Sequence, residues 1–254
     1  GCGLTLFRTD LEAREAAPDL WSERPFDLDL PAGPLRDETL AAHGLDATPF
    51  DATLGTPGGG SHFAELQAVD EVFDPETLGN LGVDPLRLHA RIHAGSNCLG
   101  ESIQRLAATS AALDPESQAA AEFLRGHDHA VRWARANREL IGRRFGAALG
   151  ATVKALWDGC HNFISLHADG EHWVHRRGVG GAAGPVAVIA GSRGAVSHLV
   201  KPLGNRSGHA WSLPQTSGRK WARSEARLRM RERYAARHLA LTPFGGRVIC
   251  DDRD

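Results

Sequence analysis

Four chemically distinctive side chains stand at isolated points of the sequence, each beside glycine or a turn-forming residue. They are Cys2 in Gly1-Cys2-Gly3, His62 in Gly58-Gly59-Gly60-Ser61-His62-Phe63, His93 in Ile92-His93-Ala94-Gly95-Ser96, and His161 in Cys160-His161-Asn162. If they belong to one site, the fold must bring the chain back repeatedly to a single point. A thiolate and three imidazoles suit borderline divalent metals such as manganese, iron, cobalt or zinc, and neighbouring glycines let the backbone bend closely round an ion or phosphate. The expectation is a metal site assembled from distant loops, with Cys2, His62, His93 and His161 as ligands. A lone histidine is more often a hydrogen-bonded core or surface residue, and that reading applies to His127, His129, His167, His172, His198 and His238. Cys98 and Cys160 read as small buried thiols.

The chain of 254 residues is long enough to bury a sizeable core and suits one domain spanning residues 1–254. Its 29 Lys and Arg nearly cancel 31 Asp and Glu, so no global field marks a nucleic-acid or membrane-surface binder. Locally the balance shifts. Acidic residues predominate from Asp10 to Asp51, and a basic stretch runs from Arg219 to Arg237, suited either to a polyanion or to a solvated helix face paired with Glu225 and Glu232. Four cysteines are too few for a disulfide-dense secreted scaffold, so a reducing cytoplasm is the expected setting. The longest apolar run, near Pro185 to Ala190, falls far short of the ~20 residues that span a bilayer, so no membrane partner is expected. The start at Gly1, without Met, reads as a fragment, truncated at both ends.

Period-two alternation predicts strands at Phe63–Val69 and Leu88–His93, each with a histidine at or near one end. Glu101–Leu113 reads as a helix. A longer one follows, with Asp114 as N-cap and Pro115 at its first position, running to about Leu149. Trp173–His175 and Val186–Ile189 read as strands flanking a glycine-rich segment, and Arg223–His238 as a helix. The Pro- and Asp-rich region before Thr48 reads as loops with one or two short helices. Helices and strands interleave without a regular βαβ beat, which indicates an α+β (mixed α/β) fold and excludes a doubly wound sheet.

Two segments suit phosphate. Gly95-Ser96-Asn97-Cys98-Leu99-Gly100 leads into a helix whose free amides favour anions, and Gly191-Ser192-Arg193-Gly194 follows an apolar strand. Neither fits a Walker or dinucleotide fingerprint.

The order of these pieces resembles the RtcB family of RNA ligases. The resemblance rests on Gly1-Cys2-Gly3, Gly55-Thr56-Pro57-Gly58-Gly59-Gly60-Ser61-His62-Phe63-Ala64-Glu65, His93-Ala94-Gly95-Ser96, His161-Asn162, His175-Arg176-Arg177-Gly178 and Gly191-Ser192-Arg193-Gly194. The ending, with Trp221 to Arg227 and Thr242 to Cys250, is similar to a shorter branch linked to a peptide-release-factor homologue. The resemblance implies an RtcB-like domain with mixed sheets and surrounding helices. It also implies a GTP- and manganese-dependent ligase joining RNA 2′,3′-cyclic phosphate or 3′-phosphate ends to 5′-hydroxyl ends, in RNA splicing or repair. In that family a histidine attacks GTP and becomes guanylated, and GMP then passes to the RNA 3′-phosphate. Cys2 matches the cysteine that bridges two manganese ions, with His62, His93 and His161 as imidazole ligands. Ser61, Glu65, Gly191, Ser192, Ser197, Ser217 and Gly218 fall where the family contacts the nucleotide.

Three interior positions depart from the pattern. Ser61 replaces an asparagine that contacts nucleotide, Asn97 replaces an arginine suited to phosphate, and Gln215 replaces the guanylated histidine. A carboxamide nitrogen is delocalised into its carbonyl and cannot form the phosphoramidate. The family's metal-ligating aspartate ahead of Gly-Cys-Gly and its guanine-reading lysine near the C-terminus have no counterparts within these residues. Three readings follow: a ligase, a ligation-deficient relative that binds metal and RNA or GTP, or a metal-dependent phosphoesterase.

Overall fold

The computed structural model describes residues 1–13, 32–59, 62–107, 113–167, 169–191, 195–203, 207–215, 225, 239–241 and 247–249. Its contacts divide the chain into two units, Gly1–Ile164 and Ser165–Asp254.

The first unit is built on an antiparallel sheet of four strands in the order β2-β3-β1-β4. These are β1 (Gly3–Glu12), β2 (Phe63–Gln67), β3 (Arg87–Ala94) and β4 (Val153–Cys160). Alternation along β3 turns Ala90, Ile92 and Ala94 toward a core shared with Phe7, Ile141 and Phe145, while His89, Arg91 and His93 take the opposite face. The core face is covered by α4 (Gln118–Ala148), the longest described helix at 31 residues. On its other side α4 packs Trp133, Ala136 and Leu140 against Leu40 of α1 (Pro34–Ala42) and Leu99 of α3 (Asn97–Ala107). Gly142 lets helix and sheet approach closely, since a Cβ there would lie 2.5 Å from Cζ of Phe7. The buried Trp133 indole donates to Asp51 (2.8 Å), which also accepts the backbone N–H of Thr48 (2.6 Å). A short α2 (Pro75–Leu81) links β2 to β3, N-capped by Asp74.

The strands expected around Phe63 and Leu88 form as β2 and β3, and the long helix ends one residue before the predicted Leu149. Its start differs. Asp114 instead closes a turn, accepting the Glu116 and Ser117 amides at 3.1 and 3.0 Å, and Ser117 becomes the N-cap by accepting the Ala120 amide at 3.1 Å. Helix α3 begins at Asn97 rather than Glu101, with Asn97 at φ 46°, a conformation asparagine tolerates better than most residues. The largest correction concerns β1. The region before Thr48 reads as loops, yet ten of its residues form the strand at the sheet centre. Leu4-Thr5-Leu6-Phe7 is a short continuous run that shows no period, and the acidic residues that follow hide it.

The second unit contains short antiparallel pairs. β7 (Val179–Gly181) pairs with β10 (Ser212–Pro214), β8 (Ala187–Ile189) with β9 (His198–Val200), and β11 (Leu239–Leu241) with β12 (Arg247–Ile249). The strand expected at Trp173 forms as β6 (Trp173–Arg177); β5 (Asn162–Leu166) crosses the division between the units. The buried Arg176 guanidinium donates to Ser165 (2.6 Å), Ser212 (3.0 Å) and the Ala210 carbonyl (3.0 Å). The helix expected at Arg223–His238 lies outside the described residues, Glu225 excepted.

Candidate metal centre

Antiparallel pairing decides where the four candidate ligands go. β2 starts, β3 ends, β1 starts and β4 ends at the same edge of the sheet, because Phe63 pairs with His93, and Gly3 with both Ala94 and Cys160. Cys2 and His161 lie one residue beyond that row, His62 one residue before β2, and His93 within it. The ladder continues past the strands, since the His161 amide donates to the Cys2 carbonyl at 2.9 Å.

The donor atoms converge. Cys2 Sγ lies 3.3 Å from His62 Nε2 and 3.2 Å from His93 Nε2, and His93 Nε2 lies 3.2 Å from His161 Nε2. Cys2, His93 and His161 form the tighter group, with their ligand atoms all within 4.8 Å of one another. Donors bound to one ion at the usual ~2.0–2.3 Å sit roughly 3.0–3.6 Å apart, so these spacings fit a shared metal. The fold thus brings together all four side chains expected as ligands, Cys2, His62, His93 and His161.

Electrostatics agree with a site prepared for a cation. His62 Nδ1 lies 2.6 Å from the Pro57 carbonyl, which can only accept, so the proton sits on Nδ1 and Nε2 turns a free lone pair toward Cys2. Burial lowers the His62 pKa, which favours the neutral ligand form. Burial also pushes the Cys2 thiol up to about 11, against the opposing pull of Arg138, so an ion that takes the thiolate must displace a proton.

Two residues behind the site escaped sequence reasoning. Asn137 and Arg138 are almost fully buried on α4, where a helix-periodic reading treats them as ordinary face residues. Arg138 forms an ion pair with Asp158 at 2.9 Å, and Asn137 accepts the Gly55 amide at 2.6 Å. Of the other thiols, Cys98 is exposed, not buried as expected, because it occupies the outer side of the first turn of α3. Cys160 donates to the Cys2 carbonyl at 3.2 Å and stays outside the tight group. His127 has a structural role in accepting the Ile164 amide at 2.9 Å.

The expected nucleotide contacts fall in several places. Glu65 shares the His93 face of the sheet and is ion-paired with Arg91, whose guanidinium also stacks 5.0 Å over Phe63. In the second unit the Gly191 amide donates to Ser197 Oγ at 2.9 Å. Gln215 is buried at 1% exposure, its amide donating to the Gly178 carbonyl and its own carbonyl accepting from the Ala190 amide. Its side chain lies flat on Gly180, where a Cβ would come 2.0 Å from Gln215 Nε2. Ser61, Ser192, Ser217, Gly218 and the basic stretch other than Glu225 lie outside the described residues.

The family model described as "tRNA-splicing ligase RtcB" matches residues 45–248. "RNA-splicing ligase RtcB2" of Escherichia coli is 38% identical over 258 residues, covering all of this chain and 68% of that protein. "tRNA-splicing ligase RtcB" of Archaeoglobus fulgidus is 26% identical over 73% of this chain and 48% of that protein. "RNA-splicing ligase RtcB" of Mycobacterium tuberculosis is 30% identical over 49% of this chain and 35% of that protein. The chain thus spans about two thirds of the Escherichia coli relative and half or less of the other two. The family match runs through three of the four converging side chains, and the full-length alignment takes in the fourth: the chain belongs to the RtcB family.

Proposed function

We propose that the chain serves RNA end joining of the RtcB type, with GTP as nucleotide, two manganese ions as cofactors, and RNA 2′,3′-cyclic phosphate or 3′-phosphate and 5′-hydroxyl ends as substrates. The observation that carries this reading is the position of Cys2 Sγ, with His62 on one side and His93 and His161 on the other. Cys2 would hold manganese together with His62 on one side and with His93 and His161 on the other. Such ions, when bound, neutralise charge on phosphoryl oxygens and lower the pKa of a bound hydroxyl. The protein's own groups supply the rest. The Pro57 carbonyl holds His62 in its ligand tautomer, and Arg91 fixes Glu65 as an acceptor for nucleotide N–H donors.

Gln215 favours a second reading, a relative that binds metal and RNA or GTP without forming a guanylate adduct. Its carboxamide is no nucleophile, and it is packed against Gly180. Intact mass after incubation with GTP and manganese separates the two, with Gln215→His run in parallel. An added GMP on the unaltered protein supports the ligase and requires a nucleophile other than residue 215. An adduct on Gln215→His alone supports the second reading. No adduct on either, with metal bound, overturns GTP as the source of a covalent guanylate, and hydrolysis of RNA cyclic phosphates that chelator abolishes would then point to a phosphoesterase.

A further inference from the structure

We infer that Asn137 and Arg138 are the positioning residues of the metal centre, Arg138 setting the backbone that bears Cys2, His93 and His161, and Asn137 setting the loop that bears His62. The inference rests on reading those four residues as metal ligands.

Arg138 is 1% exposed, and its donors are distributed over three strand ends. Nη1 donates to the Gly1 carbonyl at 3.2 Å, in the peptide group that leads into Cys2, and to the carbonyl of Ala94, the residue after His93, at 3.1 Å. Nε and Nη2 grip both carboxylate oxygens of Asp158 at 2.9 Å, on the strand that ends just before His161. Nε also reaches Thr5 Oγ1 at 3.0 Å, and Thr5 itself donates to Asp158. A leucine would pack between helix and sheet without the desolvation that a buried ion pair incurs, so packing alone does not explain an arginine here. What the guanidinium provides is a rigid planar fork that fixes several acceptors at once.

Asn137 is fully buried and turns the neighbouring helix face toward the loops. Its Oδ1 accepts the Gly55 amide at 2.6 Å, and its Nδ2 donates to the Thr56 carbonyl at 3.1 Å and the Gly95 carbonyl at 3.0 Å. The next carbonyl after Thr56 is that of Pro57, which receives the His62 Nδ1 proton. One carboxamide therefore ties the His62 loop to the turn that follows His93. Both residues hold the Ala94-Gly95 segment, but only Arg138 reaches Gly1 and Asp158 and only Asn137 reaches the His62 loop, so their effects should be separable at those ends.

The test uses the full protein, stripped with chelator and titrated with Co2+. The thiolate-to-cobalt absorption band reports Cys2, and calorimetry counts the ions. Arg138→Lys keeps the charge but loses the fork, and should weaken the cobalt–thiolate site by roughly 10–100-fold. Asn137→Ala should lower the ion count and the amplitude of that band as His62→Ala does, while the band that remains keeps its midpoint. If Arg138→Lys does not fold, Asp158→Asn tests the same half with nearly unchanged volume. Unaltered binding in the variants, or equal loss of both ions in step with lower melting temperature, overturns the inference. If the unaltered protein binds no Co2+ or Mn2+, the ligand reading itself fails.

Discussion

The two units use their buried polar groups in opposite ways. In the first, the donor atoms of Cys2, His62, His93 and His161 crowd within hydrogen-bond distance of one another, a spacing that shared protons or a cation between them would satisfy. In the second, buried Arg176 and Gln215 are embedded in their surroundings, Arg176 on two serines and a carbonyl, Gln215 through backbone bonds and close packing on Gly180. A metal centre demands particular donor atoms at particular spacings. At position 215 the residue present fills space and completes strand pairing, a role that a side chain without nucleophilic character can perform.

The sharpest way to break this comparison is to remove ligands from the first unit. His161→Ala should abolish tight binding in the compact group, and His62→Ala should reduce the bound ions and weaken the cobalt–thiolate band without abolishing it, the ions read by elemental analysis after desalting and the band by absorption. Equal and undiminished metal content in both variants would show that the convergence serves packing. The next effect belongs to the second unit. Gly180→Ala drives a methyl into Gln215 and should cost about 1–3 kcal/mol in urea unfolding, and adding Gln215→Ala should recover part of that loss. Additive losses in the double variant would mean that the two residues do not share one space.

The smallest effect concerns protonation. Burial holds the pKa of His89 and of His62 below the ordinary histidine value. The unfolded chain binds these protons first as pH falls, so stability is full above the ordinary value near 6.5 and declines as pH drops below it. In chelator, the urea midpoint should therefore fall between pH 7.5 and pH 5.5 by less in His89→Leu than in the unaltered protein. An identical fall in both would remove His89 from the account.

Much of the fold was legible locally. Alternation located β2 and β3, because apolar and polar residues alternate along them even where β3 is buried on both faces, and a long pattern at the helical period located α4. β1 was not legible, since nearly every residue from Gly3 to Thr9 is buried whichever way it faces, polar Thr5 and Thr9 included, and Thr9 is satisfied by donating to the Leu88 carbonyl of β3 and accepting the Leu11 amide. The start of α4 was misread because Asp114 and Ser117 are both good caps, and the chain uses one for a turn and the other for the helix.

What the sequence determined by itself is chemical identity. Cys2 and the histidines can bind a metal, and Gln215 cannot carry a guanylate, because those capacities reside in the side chains. Only the tertiary structure decided that strand ends from β1, β2, β3 and β4 meet at one edge of a sheet, and that Asn137 and Arg138 stand behind them. A hydrogen bond such as that from Arg138 to Gly1, across 137 residues of chain, leaves no trace in local periodicity, since its geometry exists only after helix and sheet have packed.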